Sequence, residues 1–192
     1  WDLGLKLYFC GNDVAFDETE YVAGEKVLVS ALTTTPSGVL ELKGSHSVEM
    51  KARAIRPYPP ANVKINGEYW PAEIETDLIV TWVDRNRLQQ TGGETLGWYE
   101  DGVTIESGTS TILTIKELDV DELVVATHNI DATGTNTYTL TISAMQADTR
   151  FVKVTLKTVR DGFDCLNPFV HTVELSQFFS APYDLTVEFK ND

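Results

Sequence analysis

The acidic side chains are the first place to look for chemistry, since they outnumber the basic ones 29 to 15 in 192 residues. Glycoside hydrolysis needs two carboxyl groups held a few ångströms apart across a cleft. Two close pairs are candidates, Glu100 with Asp101 and Asp119 with Asp121. Both pairs occur in stretches typical of turns, and so acidic a chain contains such neighbours by chance. We therefore predict no catalytic residue and a function other than that of an enzyme.

The patterns of nucleophilic catalysis and of metal binding are absent from the sequence. It contains neither Gly-x-Ser-x-Gly nor His-Glu-x-x-His. Cys10 and Cys165 stand near opposite ends of the chain, and the histidines have no metal-ligand spacing. The acidic stretch 119–122 lacks the glycine and the distal glutamate of an EF-hand loop. We predict no metal site, no cofactor and two free thiols.

The net charge of −14 limits the classes of partner. Such a charge repels the phosphates of nucleic acids and the anionic surfaces of membranes. The sequence has no apolar run of transmembrane length and no signal-peptide pattern. We predict neither nucleic-acid binding nor membrane insertion. Because the chain opens at Trp1 and not at methionine, we expect a fragment of a longer polypeptide.

The best candidate contact surface is the run Trp98, Tyr99, Glu100 and Asp101. It lies in a glycine-rich stretch, about residues 88–108, that interrupts the regular strand patterns. Exposed aromatic rings flanked by polar groups suit saccharide stacking or a protein interface. The alternative is that both rings fold back onto the domain and anchor the loop, and the sequence leaves both interpretations open.

Arg85 and Arg87 follow the clearest predicted strand and are candidates for an interface. Each could pair with a carboxylate of the same chain or of a neighbouring subunit. In an acidic protein the intramolecular pair is the simpler expectation. An exposed pair of this kind contributes only about 0–1 kcal/mol.

The elements that position these residues are organised around the proline-rich stretch 56–63. Its three prolines remove three backbone donors and exclude a helix or a central strand. We therefore place a boundary here. Residues 1–54 form a small β unit, residues 55–178 a β-sandwich, and residues 179–192 a C-terminal extension.

Alternation of apolar and polar residues predicts short strands on both sides of the boundary. In strand 78–83, Leu78, Val80 and Trp82 share one face and should point into the core. The predicted strands before the boundary are 3–9, 27–32, 38–44 and 47–54, forming a small antiparallel sheet. Those after it are 63–65, 78–83, 111–115, 123–127, 137–142, 150–159 and 169–175. The fold class is all-β, an antiparallel β-sandwich preceded by a smaller β unit.

This strand pattern, with a proline-rich start and a tryptophan in the second strand, resembles a fibronectin type III domain. A narrower resemblance is to fibronectin-III-like segments of bacteriophage and prophage tail proteins. Four stretches carry it: 56–67, 81–88, 108–113 and 159–163. In order and spacing they are similar to a proline-rich start, a Trp-x-x-Arg-x-Arg strand end, a Gly-Thr-Thr strand start and an Arg-Asp-Gly turn. The resemblance covers roughly residues 33–176.

The resemblance implies a structural component of the virion, near the tail tip, involved in assembly or host recognition. The implied partners are other tail proteins or copies of the same chain, and a host surface receptor or glycan. It implies no catalytic residue. The competing hypothesis is a carbohydrate-binding or adhesive module of a secreted bacterial protein, located outside the cell or on its surface. Loss of glycan binding in Trp98→Ala would favour that second hypothesis.

Overall fold

The chain is all-β. A computed structural model describes residues 19–30, 32–41, 44–89 and 97–176, which form thirteen strands and one 3-10 turn of three residues. It divides the chain into two compact units, Trp1–Ala54 and Ile55–Asp192. Among the described residues, no helix has the length and apolar character needed to cross a membrane.

The described part of the first unit contains two separate antiparallel pairs. Strand β1 pairs with β4, and β2 pairs with β3. The predicted single sheet is therefore wrong for these residues, because β4 pairs with β1 and leaves the β2–β3 hairpin as a separate ladder. The predicted strand 3–9 lies outside the described residues. The bounds are β1 Lys26–Val29, β2 Leu32–Thr35, β3 Gly38–Glu41 and β4 His46–Glu49.

The second unit is a β-sandwich of two sheets. One sheet has three strands in the order β10-β7-β5, and the other has the order β6-β13-β11-β8-β9, with β12 paired to β11. All neighbours are antiparallel except β6 and β13. The bounds are β5 Ala61–Ile65, β6 Glu73–Ile74, β7 Leu78–Val83, β8 Thr109–Leu118, β9 Val124–Asp131, β10 Thr137–Leu140, β11 Phe151–Arg160, β12 Phe163–Asp164 and β13 Phe169–Leu175.

The core lies between the two sheets, where alternate side chains of each strand meet. Leu78, Val80 and Trp82 of β7 are buried as predicted, with Trp82 only 3% exposed. They pack with apolar residues of the facing sheet, including Leu113 and Val154. Burying one such aliphatic side chain stabilises the fold by about 1.5–3 kcal/mol. The two-residue period of the sequence thus determines which face of each strand is inside.

All seven strands predicted after the boundary are present, and two of them, Leu78–Val83 and Phe169–Leu175, have the predicted bounds. Strand β8 runs from Thr109 to Leu118, longer than predicted, because its partner β11 continues along the whole length. The predicted strand 137–142 is wrong at its end. Strand β10 stops at Leu140, and Ile142 is exposed in a 3-10 turn. The backbone N–H of Ile142 donates to Asp77 Oδ1 at 2.9 Å.

Two tight turns follow the chemistry of their dipeptides. Asn66 and Gly67 have φ of 51° and 83°, and Asp161 and Gly162 have φ of 49° and 78°. Two successive positive values define the type I′ turn that matches the twist of a hairpin. The Asn-Gly turn predicted from the sequence is therefore confirmed.

The proline-rich stretch is fixed to the sandwich by its backbone and by Arg56. The carbonyl of Tyr58 accepts a hydrogen bond from Thr158 Oγ1 at 2.7 Å. Arg56 Nη1 donates to the carbonyl of Asp164 at 2.7 Å, and its guanidinium lies 5.3 Å from the centroid of the Phe163 ring. The stretch therefore belongs to the second unit.

Replacing Trp82 by alanine tests the assignment of the core. The substitution should lower the free energy of unfolding by about 3–5 kcal/mol, because it leaves a large cavity between the sheets. The matched control is Ile79→Ala on the outer face of the same strand, where we expect a change within about 0.5–1 kcal/mol. Urea denaturation followed by circular dichroism measures both, and equal losses would contradict the assignment.

Candidate functional site

A groove of about 610 Å³ lies on the outer face of the three-stranded sheet, opposite the core. Outward-facing residues of β5 and β7 form one side, and loop residues 99–103 form the other. We call it the outer groove. Its volume falls in the range of small-molecule sites, about 300–1,000 Å³. The lining residues are Asn62, Lys64, Thr81, Trp82, Val83, Asp84, Tyr99, Asp101, Gly102, Val103 and Asn136.

A chain of aromatic rings in contact lies close to this groove, next to residues that line it. Tyr69 lies at the centre, with ring centroids 6.1 Å from Trp70 and 5.5 Å from Trp98. The Trp70 ring is in turn 6.3 Å from that of Phe169. These tilted pairs fall within the spacing at which aromatic rings attract one another. We call these four residues the aromatic rim.

The aromatic rim and the outer groove are joined through β5. The Tyr69 hydroxyl donates to Asn62 Oδ1, and Lys64 Nζ lies 4.9 Å from the centroid of the Tyr69 ring. Asn62 and Lys64 both line the groove. Tyr69 therefore connects the aromatic rim to the groove.

Two residues here have positive φ values, a backbone conformation that costs free energy for residues other than glycine. Asn62 has φ of 50° beside a β-bulge, and Trp70 has φ of 49°. Asparagine tolerates this region, but a bulky residue such as tryptophan is an outlier there. The following Pro71 is held by a hydrogen bond of 2.7 Å between its carbonyl and His171 Nε2. Conformations of this kind cost about 1–3 kcal/mol each and cluster at ligand sites.

Arg85 fixes the loop that carries Trp98 and Tyr99. Its side chain is 7% exposed, and its guanidinium donates to the carbonyls of Gly97 at 2.6 Å, Glu100 at 3.1 Å and Trp98. Burial lowers the pKa of Arg85, and the charge of Glu100 acts in the opposite direction. The loop backbone is thus anchored, while Trp98 remains 50% and Tyr99 70% exposed. The anchor of this loop is therefore Arg85 bound to the backbone, and a contact role for the two exposed rings stays a prediction.

The four residues of the predicted contact surface differ in their position relative to the outer groove. Tyr99 and Asp101 line the outer groove, and Trp98 belongs to the aromatic rim. Glu100 instead closes its own turn, since Oε2 accepts the N–H of Gly97 at 2.8 Å. A binding role for these residues stays a prediction.

Arg87 makes an intramolecular ion pair. Its Nε lies 2.8 Å from Oε2 of Glu106, and its Nη2 lies 2.8 Å from Oε1. Arg160 donates to the same carboxylate, which is 3% exposed. The hydrogen bonds from Arg87, and then the charges of both arginines, hold the pKa of Glu106 below its usual value. The contacts of Arg85 and Arg87 are thus within the chain, and their interface role stays a prediction.

Asp84 lies where the floor of the groove meets the core. Burial raises the pKa of its carboxyl, and the side chains of Asn136 and Trp82 counter that rise. Trp82 Nε1 is buried and, among the described residues, has no partner at normal hydrogen-bond geometry. A partly desolvated carboxyl at the edge of a groove is suited to accept hydrogen bonds from a ligand. Within the described ranges, no group of three or more His, Cys, Asp or Glu residues could hold a metal ion.

The sequence interpretation missed the residues that β5 and its turn contribute. The pairing of β5 with β7 is what places three of these residues at or next to the groove: Asn62, Lys64 and Tyr69. One signal was available, because the Asn66-Gly67 turn brings the outward residues of β5 close to the adjacent aromatics Tyr69 and Trp70.

Glu117 is a second residue that sequence reasoning missed. Its side chain is fully buried and accepts hydrogen bonds from Thr149 Oγ1, from the N–H of Gln146 at 2.7 Å and from His128 Nε2. Burial by itself would raise the pKa of Glu117, but these hydrogen bonds outweigh it and hold the pKa below 4.5. The network fixes the turn before β11 to the end of β8.

Glu117→Gln should destabilise the sandwich by about 1–3 kcal/mol at neutral pH, because one buried donor loses its acceptor. A lowered pKa contributes stability above the ordinary value of 4.5, and this contribution is lost as the pH falls through the folded pKa. The difference between wild type and variant should therefore shrink on acidification below 4.5. Urea denaturation across this range measures it, with the exposed Glu122→Gln as control. A difference that is the same at pH 7 and pH 3 would contradict the role given to Glu117.

Arg85→Gln should loosen the loop without unfolding the sandwich. The Glu100 amide, bonded to the Gly97 carbonyl at 3.2 Å, reports on it. We expect its hydrogen exchange to accelerate about tenfold or more, since one hydrogen bond to a charged group contributes about 1.5–3 kcal/mol. Hydrogen exchange at core amides of β7 should stay unchanged in Arg85→Gln. In the control variant Arg53→Gln, exchange at all of these amides, including that of Glu100, should stay unchanged. Unchanged exchange at Glu100 would show that Arg85 does not hold the loop.

No protein-family model matches the chain, and no curated protein sequence matches it either. Function therefore has to be inferred from the geometry of the outer groove and from the sequence patterns.

Proposed function

We propose that this chain is a structural, non-enzymatic component of a phage or prophage tail, near the tail tip, involved in assembly or host recognition. The observation that carries the proposal is the aromatic rim beside the outer groove, presented by a loop that Arg85 fixes to a sandwich. A rigid scaffold with exposed aromatic side chains is suited to contact a partner with little cost of ordering. Its partners would be other tail proteins, copies of the same chain, or a host receptor or glycan.

The strand order supports a fibronectin type III arrangement of the sandwich. In one sheet β7 lies between β5 and β10, and in the other β11 lies between β8 and β13. The chain thus crosses repeatedly from sheet to sheet, as in Greek-key sandwiches of this kind. Trp82 on the second long strand is buried between the sheets, which agrees with the tryptophan of the resemblance.

The stretches that resemble phage tail segments meet in space, which supports reading them as one pattern. Arg87 belongs to the Trp-x-x-Arg-x-Arg stretch and Arg160 to the Arg-Asp-Gly turn. Both bind Glu106, two residues before the Gly-Thr-Ser-Thr strand start. Tyr58 of the proline-rich stretch accepts a hydrogen bond from Thr158 of β11, two residues before Arg160. The spacing of these motifs therefore has a structural reason.

A second candidate function is a carbohydrate-binding or adhesive module of a secreted bacterial protein. The polar lining of the outer groove beside exposed aromatic rings favours it. The two candidates differ in location, because the first belongs to a virion and the second to the cell surface or the medium.

Immunogold electron microscopy tests the proposed location. Antibodies against the full chain should label one end of the tails of particles from the phage or lysogen that encodes it. Particles from a deletion of the coding region provide the control. Label confined to cell envelopes, or protein found only in particle-free medium, would contradict the tail assignment and favour the secreted module.

A further inference from the structure

We infer that the outer groove binds a neutral oligosaccharide, with Tyr99 as the stacking platform. The inference deepens the proposed function, on which it rests for the role of this surface, by naming the class of ligand. A pyranose ring has apolar C–H faces and a rim of hydroxyl groups that both donate and accept hydrogen bonds. A complementary site needs an exposed aromatic face beside several fixed polar groups.

The polar half of such a site lines the groove. Asn62 and Asn136 each offer an amide that can donate and accept, and Asp84 and Asp101 each offer a carboxylate acceptor. Thr81 adds a hydroxyl from the sheet. Part of this set is held in place, since the Asn62 oxygen accepts the Tyr69 hydroxyl and Asp84 interacts with Asn136. Planar amides and carboxylates at fixed positions can bind pairs of adjacent sugar hydroxyls.

The aromatic half is Tyr99, which lines the groove with 70% of its surface exposed. Trp98 lies next to it on the rim, half exposed and in contact with Tyr69. The Arg85 hydrogen bonds to the loop carbonyls hold this backbone before any ligand arrives. A preorganised loop backbone loses little conformational freedom on binding, which favours affinity.

The charges favour a neutral sugar. Asp84 and Asp101 outnumber Lys64 among the lining residues, and the chain as a whole carries a net charge of −14. A sialic or uronic acid would be repelled by this field. The Lys64 ammonium already lies against the Tyr69 ring, so that face does not offer a site for a cationic ligand.

The same residues argue against a proline-rich peptide as the ligand. Grooves that bind polyproline helices are lined by aromatic side chains. Here only Trp82 and Tyr99 among the lining residues are aromatic, and Trp82 is a core residue. Most of the lining side chains are polar. A saccharide uses these groups, whereas a polyproline segment would leave most of them without partners.

The test is titration of the full chain, by calorimetry and by amide chemical shifts, with defined probes. The neutral probes are maltohexaose, cellohexaose, mannohexaose and hexa-N-acetylchitohexaose. The charged probes are a sialic acid hexamer and a hyaluronan hexasaccharide, and a hexaproline peptide represents the other class. At least one neutral hexamer should bind with Kd of about 1 mM or lower, which corresponds to about −4 kcal/mol. The amide shifts should move at Tyr99 and Gly102.

Variants locate the site. Tyr99→Ala should weaken binding about tenfold or more, the loss typical of an aromatic anchor, while Tyr99→Phe should stay within about threefold. Tyr58→Ala, an exposed tyrosine outside the groove, is the matched control and should change nothing. The shift changes in the wild-type chain report on the site independently of how well a variant folds.

Several results would overturn the inference. They are failure of all four neutral hexamers, preference for a charged hexamer or for hexaproline, and neutral binding that Tyr99→Ala leaves intact. These results would leave the tail assignment standing if antibodies still label tail tips. Conversely, sugar binding by a chain absent from virions would keep the inference and contradict the tail assignment.

Discussion

The structure around the candidate site depends on one interaction, the capture of loop carbonyls by the buried guanidinium of Arg85. The loop has no strand pairing in its described part, so its backbone groups need another partner. The planar guanidinium of Arg85, which has five donors and follows the end of β7, is that partner. Two residues further on, Arg87 binds the carboxylate of Glu106, which Arg160 of β11 also binds. Together these contacts join the ends of the strands on both sheets to the loop.

This arrangement assigns core packing and groove lining to alternate residues of the same strands. In β5 and β7 one set of alternate residues fills the core, and the other set faces the outer groove. A substitution at the groove therefore need not create a cavity, and a core substitution need not change a ligand contact. Trp82 and Val83 are the exceptions, because both are buried and also line the groove, and Asp84 follows them at the end of β7. There a partly buried carboxyl and an indole N–H lie close to the surface that a ligand would cover.

Strand alternation made much of the sandwich predictable, since burial on one face follows from the two-residue period. Leu78, Val80 and Trp82 were predicted correctly for this reason. The ends of strands were less predictable, because β8 is extended by its partner and β10 ends just before Ile142, whose N–H donates to Asp77. The composition of the loop indicated two groove residues, Tyr99 and Asp101. The place of three others at or next to the groove follows only from strand pairing: Asn62, Lys64 and Tyr69. Glu117 gave no signal either, because a glutamate in a strand normally faces solvent.

The hydrogen bonds from Arg85 should make the loop that carries Trp98 and Tyr99 rigid in the free protein. Backbone ¹⁵N relaxation of the amides of residues 98–101 tests it most directly. We expect order parameters near those of β7, about 0.85 as in rigid backbone. Values below about 0.6 would mean a flexible loop, and they would contradict a preorganised surface held by Arg85.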